Sequence, residues 1–148
     1  MNISLSRRRF ATGALAVVAA AGSRSLPAGA ASTALSVQEA RRQAQRGEIL
    51  LLDIRTRQEW AETGIGDVAL PVSMHERSFL ARLNQLTEGD KSRAVALICA
   101  TGGRSRSLQS VLARIGYSHI IDVPAGMLGN GREPGWIESG LPVKPYSQ

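Results

Sequence analysis

Apolar and polar residues follow two different rhythms along this chain. Ile49-Leu50-Leu51-Leu52-Asp53-Ile54 and Ala94-Val95-Ala96-Leu97-Ile98 are continuous apolar runs. They lack the alternation of a half-exposed strand and suit strands buried on both faces, as in a parallel sheet. His119-Ile120-Ile121-Asp122-Val123 predicts a third strand, and 67–72 a fourth. Helical spacing fills the intervals. Phe79, Leu80, Leu83 and Leu86 mark a helix over 76–86, and Leu108, Val111, Leu112 and Ile115 mark one apolar face of a helix closed by Gly116. Ser36 with Glu39, and Thr56 with Glu59, read as capping boxes. The first opens a helix running to about Arg46 and stopping at Gly47, and the second a short helix through Trp60 that ends near Gly64. The stretch 124–148 is rich in Gly and Pro, and predicts loops with one short helix around Trp136-Ile137-Glu138. Strands alternating with short helices predict an α/β fold: a central parallel sheet flanked by helices on both faces, in three layers.

The region ahead of Ala31 has a different character. Ser6-Arg7-Arg8-Arg9-Phe10 leads into an apolar Ala/Gly-rich run over 11–22, followed by Ala28-Gly29-Ala30. The run is about a dozen residues long, short of the roughly 20 that span a bilayer. A basic region, an apolar region and small residues in this order predict a secretion signal over 1–30, cleaved after Ala30, and a single mature domain over 31–148. An uncleaved amphipathic anchor is the alternative. The paired arginines followed by Phe10 resemble the twin-arginine (Tat) signal, which implies a bacterial periplasmic location and no membrane span after cleavage.

Charge and cysteine content narrow the chemistry. The formal net charge of +6 owes much to Arg7, Arg8, Arg9 and Arg24, in a region without Asp or Glu. The remaining Arg residues are scattered among acids with no aromatic-interleaved basic patch, which argues against a nucleic-acid partner. No metal-ligand cluster and no dinucleotide fingerprint is present, so no cofactor is expected. A single cysteine, Cys99, rules out an intrachain disulfide and a C-x-x-C redox couple.

Cys99 stands where a buried strand meets an amphipathic helix. In parallel α/β sheets, ligands bind outside the carboxyl ends of the strands. The next residues are Ala100-Thr101-Gly102-Gly103-Arg104-Ser105. Backbone N–H groups at a helix start have no partners within the helix and converge on an anion, aided by the helix dipole. Gly102 and Gly103 permit the positive φ angles of a tight cradle. Arg104 adds a cation. Thiolates in such settings have pKa values of about 3.5–7.5. The same cradle suits a persulfide, Cys–S–S⁻.

Cys99-Ala100-Thr101-Gly102-Gly103-Arg104-Ser105 is similar to the C-x-x-G-x-R-S loop of rhodanese-like sulfurtransferases. Asp53-Ile54-Arg55-Thr56-Arg57-Gln58-Glu59-Trp60, Asp122-Val123-Pro124-Ala125-Gly126-Met127 and Gly135-Trp136-Ile137-Glu138-Ser139-Gly140-Leu141-Pro142-Val143 resemble three further segments of that family, in the family's order. The resemblance implies a rhodanese-like domain in which Cys99 is the nucleophile that accepts and donates sulfane sulfur. It implies that backbone amides of Ala100 to Arg104 stabilise the anion, and that Arg104 also holds the loop. Asp53 and Arg55 match a polar pair expected to be structural. Trp60 is expected in the core. Trp136 either covers the pocket mouth or packs. The implied partners are a small-molecule sulfur donor, such as thiosulfate or a persulfide, and a cyanide, thiol or protein acceptor.

Two departures stand out. Many members carry G-H-I-x-G-A where this chain has Gly64-Ile65-Gly66-Asp67-Val68-Ala69, without the His, so local packing must differ, and His75 reads as a loop or helix-start residue rather than a substitute. Ala125 replaces the first Gly of a G-G pair. Cysteine phosphatases and arsenate reductases of related fold carry C-x-x-x-x-x-R, one residue longer. Here Arg104 is the fifth residue after Cys99, a loop better sized for sulfur than for a tetrahedral oxyanion. Ala100 is neutral where thiosulfate-using relatives often place a base. That leaves a second class open: a module that carries or senses sulfane sulfur for a partner protein without turnover.

Overall fold

A computed structural model describes residues 34–147. The secretion-signal expectation over 1–30 lies outside the described residues. The buried apolar runs form the centre of a four-stranded parallel sheet in the order β3-β1-β4-β5, with β1 at Leu50–Asp53, β3 at Leu70–Pro71, β4 at Val95–Ile98 and β5 at Ile120–Asp122. All pairings are parallel, and β1 and β4 lie side by side in the register Leu52↔Leu97 and Asp53↔Ile98.

Side chains of a strand alternate between faces, and the sequence fills both. Leu51, Ala96, Ile98 and Ile121 point to one face and pack against Val37 and Ala40 of α1 (Val37–Gln45), Trp60 of α2 (Arg57–Thr63), Met127 and Trp136. Leu52, Val95, Leu97 and Cys99 point to the other face, toward Phe79 and Leu83 of α3 (Phe79–Leu86) and Leu108 and Leu112 of α4 (Gly103–Arg114). Each fully buried Leu or Ile of these clusters contributes about 1.5–3 kcal/mol relative to exposure. The expected three layers are therefore present. Among the described residues, no helix is long and apolar enough to cross a membrane.

The chain moves from β1 to one edge through α2, then returns past β1 through α3 to β4, and on to β5 through α4. Strand order thus reverses between β1 and β4, the switch point where α/β sheets bind ligands. Cys99 is the first residue beyond β4.

Several local expectations are corrected. The segment 67–72 is not one strand. Ala69 N–H turns back to Gly66 O at 2.9 Å. Ile65–Gly66 forms β2, which pairs antiparallel with an unforeseen β6, Val143–Lys144. The expected helix around Trp136 is a series of turns. In α4, Leu108 and Leu112 are buried, but Val111 and Ile115 face solvent, so its buried stripe is narrower than its apolar spacing suggests. At α1 only half of the capping box forms: Ser36 Oγ accepts from Glu39 N–H, while the Glu39 carboxylate turns to Arg42 and Gln43. The box at α2 is complete.

Candidate active site

The turn from β4 into α4 is built around one backbone requirement. Gly102 has φ +89°, and a Cβ there would lie 2.0 Å from the carbonyl oxygen of Pro124. Only glycine satisfies both conditions. Gly103, expected to share this role, lies inside α4 with no positive φ, and a Cβ on it would meet nothing within 4 Å. The loop's base is tied to the segment after β5: Met127 N–H donates to Cys99 O at 2.8 Å, and Leu128 N–H to Ala100 O at 2.9 Å.

This backbone folds around a sulfur atom. Gly102 N–H donates to Cys99 Sγ at 3.1 Å, and Ser105 Oγ lies 3.5 Å from the same sulfur while donating to Gly102 O at 3.1 Å. Cys99 is only 1% exposed. Burial pushes its thiol pKa up. The Ser105 hydroxyl and the backbone N–H groups of Ser105, Thr101 and Gly102 outweigh that, and the net direction is downward. The site therefore eases ionisation of a thiol placed at the amino end of a helix. Thr101 is exposed at the rim.

Arg104 does not simply project over the sulfur. Its guanidinium forks onto Glu59, with Nη2 2.5 Å from Oε1 and Nη1 2.9 Å from Oε2. The Glu59 partnership raises the Arg104 pKa most, and the neighbouring Cys99 adds to it. Glu59 in turn accepts from Thr56 N–H at 3.0 Å and Thr56 Oγ1 at 2.9 Å, completing the α2 capping box. One carboxylate thus ties the start of α2 to the active loop. His75 Nε2 lies 3.5 Å from Arg104 Nη1 at the outer side of this pair.

Glu59 is the residue that sequence reasoning underused. It was legible as the third position of a capping box, but its second partner lies 45 residues away. The Arg104 guanidinium, together with the Thr56 donors, holds the Glu59 carboxyl at about 2, against the opposing effect of burial. Because that value lies below the unfolded one of about 4.3, the pairing stabilises the fold above the unfolded value and is lost as pH falls toward about 2. Glu59→Gln keeps an acceptor for Thr56 but removes the charge. It is expected to cost about 1 kcal/mol at pH 7, since both partners reach solvent. The variant should also flatten the acid limb between pH about 4 and about 2, read from urea midpoints across that range.

Asp53 and Arg55 lie at the same end of the sheet as Cys99. Strand alternation puts Asp53 on the face of Leu51, whereas Cys99 shares the face of Leu97. They form a buried pair: Arg55 Nη2 lies 2.7 Å from Asp53 Oδ2, and Arg55 Nε 2.9 Å from Oδ1. Arg55 also donates to Thr63 Oγ1 and Gly64 O, each at 2.8 Å, so the pair anchors the end of α2.

Trp136, a candidate lid, is fully buried. Its indole N–H donates to Pro142 O at 2.9 Å, and its ring covers Gly66, where a Cβ would lie 2.8 Å from Cζ2. It packs beneath β2 and does not cover the mouth. Ile65, which stands where many relatives have His, is buried in the same cluster. Asp122 was not singled out. It ends β5 behind Ser105, 4% exposed, with Oδ1 lacking a hydrogen-bond partner and burial raising its pKa.

Comparisons with known proteins agree with this geometry. The family model described as rhodanese-like domain matches residues 36–129. A sulfurtransferase from Allochromatium vinosum is 31% identical over 102 residues, covering 69% of this chain and 84% of the relative. The solution structure of a homodimeric polysulfide-sulfur transferase from Wolinella succinogenes superposes with a TM-score of 0.58 at 26% identity, covering 79% of this chain and 81% of that one. A crystal structure from M. tuberculosis shows the same fold, with a TM-score of 0.58 at 22% identity over 79% of this chain and all of that one. With its buried thiol at the carboxyl end of a parallel sheet, in a loop of the matching pattern, the chain belongs to the rhodanese-like domain family.

Proposed function

We propose that the protein is a sulfurtransferase that moves sulfane sulfur through a persulfide on Cys99. The observation that carries this reading is the Cys99 sulfur held by Gly102 N–H at 3.1 Å and facing Ser105 Oγ at 3.5 Å, in a loop where Arg104 is the fifth residue after Cys99, a length that suits sulfur better than phosphate. Catalysis is two covalent half-reactions. The Cys99 thiolate attacks the outer sulfur of thiosulfate. A new S–S bond forms, and sulfite leaves with the electron pair of the old one. The persulfide anion rests among the loop N–H groups. Cyanide or a thiolate then attacks its outer sulfur, leaving as thiocyanate or a persulfide and restoring the Cys99 thiolate. Backbone donors stabilise the sulfur anion at each stage, and Arg104, fixed by Glu59, holds the loop.

One feature favours a second reading, a carrier that delivers sulfur to a partner protein: Ala100 adds no charge next to Cys99. Steady-state thiosulfate:cyanide kinetics separate the two. A transferase gives sustained thiocyanate release with parallel double-reciprocal lines. A carrier gives one stoichiometric release. Phosphate-ester hydrolysis without persulfide would overturn both.

We further propose export by the twin-arginine route to the periplasm, on the strength of Ser6-Arg7-Arg8-Arg9-Phe10 and the small residues at 28–30. In a bacterium that has this route, the wild type is expected as a processed periplasmic form beginning at Ala31. Arg7→Lys with Arg8→Lys should leave unprocessed precursor in the cytoplasm. Wild-type export of that double variant would contradict the proposal.

A further inference from the structure

The mechanism leaves one buried ionisable group without a task. Asp122 closes β5 with its side chain 5% exposed, and its Oδ1 has no hydrogen-bond partner among the described residues. Strand alternation puts it on the face of Ile120 and of Leu97, its register partner on β4, which is also the face of Cys99. α4 runs back over that face, where Gln109 Nε2 donates to Ile120 O at 2.7 Å. Ser105 is one turn earlier on the helix, about 6 Å away, and Asp122 is two residues further along the strand, about 6.6 Å away. Ser105 therefore lies over Asp122, and the same hydroxyl lies 3.5 Å from Cys99 Sγ. Little other charge faces the carboxyl. Arg106 Nε is 3.7 Å from Oδ2, on a side chain 73% exposed, where an ion pair is worth little. Leu97 beside Asp122 on β4, and Ala34 bridged to it on the other side, are apolar.

From this arrangement, we infer that Asp122 is a positioning residue that acts through Ser105 on Cys99, drawing on the same hydroxyl hydrogen as the sulfur and so restraining the thiol's ionisation. The role rests on the sulfur-transfer reading above, in which this sulfur is the nucleophile. A serine hydroxyl has a single hydrogen to donate. That of Ser105 goes to Gly102 O at 3.1 Å, and Cys99 Sγ and the Asp122 carboxylate are the competing acceptors. Burial raises the pKa of both groups, and the Ser105 hydroxyl lowers both; the net direction is down for Cys99 and up for Asp122. A charged Asp122 draws the hydrogen away from the sulfur and places a second negative charge behind it. Both effects oppose the thiolate, so the two groups titrate as a coupled pair. The coupling serves the chemistry. Loop donors acting alone would make the thiolate easy to form but less reactive, because nucleophilicity falls with pKa and the best attacking thiol has a pKa near the ambient pH. Asp122 offsets part of their pull.

Asp122→Asn keeps the shape, removes the charge and supplies an N–H to Ser105 Oγ. Cys99 is the chain's single cysteine, so its alkylation by iodoacetamide, followed against pH, reports its ionisation. The variant is expected to lower the apparent Cys99 pKa by about one unit. With a Brønsted slope of about 0.4–0.5, the rate at alkaline pH should fall about threefold and the rate on the acid side should rise about threefold, so that the two profiles cross. Ser105→Ala should raise the Cys99 pKa, and adding Asp122→Asn to it should produce less than about half the shift seen with Ser105 present. An equal shift with and without Ser105 would overturn the inference. So would a lowered urea midpoint with an unmoved pH profile, which would make Asp122 structural only. If Asp122→Asn does not fold, the wild type still decides. With aspartate carboxyl carbons labelled, the Asp122 NMR signal should show a second inflection at the pH where Cys99 ionises, lost in Cys99→Ser. No such inflection in the wild type would overturn the inference. Alkylation needs no sulfur donor, so the two readings fail separately. A protein that takes up no sulfur but shows crossed profiles loses the transferase reading and keeps the Asp122 coupling. Persulfide formation with superimposed profiles removes only the coupling.

Discussion

Cys99→Ser is expected to reduce sulfur transfer to the assay background, a fall of at least about 1,000-fold, while the protein stays folded. The fold should tolerate the change because the substitution is close to isosteric. A serine hydroxyl can accept from Gly102 N–H and can meet Ser105 Oγ much as the sulfur does. A shift in stability within about 1–2 kcal/mol follows from the usual range for such substitutions. The chemistry should not survive. The loop donors lower the pKa of a thiol, but a serine hydroxyl stays protonated near neutrality and is a weak nucleophile unless a base activates it. Among the described residues the sulfur's hydrogen-bond partners are Gly102 and Ser105, and His75 lies instead against Arg104. Rates with thiosulfate and cyanide, read beside circular dichroism and a urea midpoint, check both halves. Retained turnover in the folded variant would remove Cys99 from the mechanism.

The largest stability effect is expected away from the reacting atom. Arg55→Ala strips Asp53 of the one cation paired with it among the described residues and leaves a fully buried carboxylate, together with Thr63 and Gly64, without their donor. Removing one partner of a buried ion pair costs about 3–5 kcal/mol, against a typical domain total of about 5–15 kcal/mol. Because Arg55 fastens α2, and α2 carries Glu59, the loss should propagate to the Arg104 contact and lower activity even at temperatures where the variant remains folded. Arg55→Lys keeps a charge but not the fork, so it should fall between the two. Urea unfolding with an unchanged m-value measures the shift. A loss under about 1 kcal/mol would mean that water or another group satisfies Asp53, contrary to the buried geometry.

The sequence was most legible where burial leaves a continuous signature. The runs ending at Asp53 and Ile98 lie at the sheet centre, covered on both faces, so they read directly as β1 and β4. The Cys99 loop was legible because its chemistry is local: the thiol, the positive-φ glycine and Ser105 all lie within a few residues of one another. Features set by distant partners were not legible. β2 and β6 are two residues each, too short for any period, and each exists only because the other pairs with it. Glu59 looked like a local cap until Arg104 was brought against it from across the sheet. Trp136 was ambiguous because an aromatic near a site can cover or pack, and only Gly66, with no side chain beneath the ring, decides for packing. Val111 and Ile115 carried helical spacing without burial, because α4 meets the sheet along a stripe narrower than its apolar face.

The central claim is that the sulfur cradled by Gly102 and Ser105 accepts and holds one further sulfur atom. Intact mass spectrometry after exposure to thiosulfate, and separately to a persulfide donor, measures this directly. A gain of one sulfur atom per chain is predicted, present in the wild type, absent in Cys99→Ser and removed by cyanide. A wild-type protein that shows no adduct with either donor would contradict it.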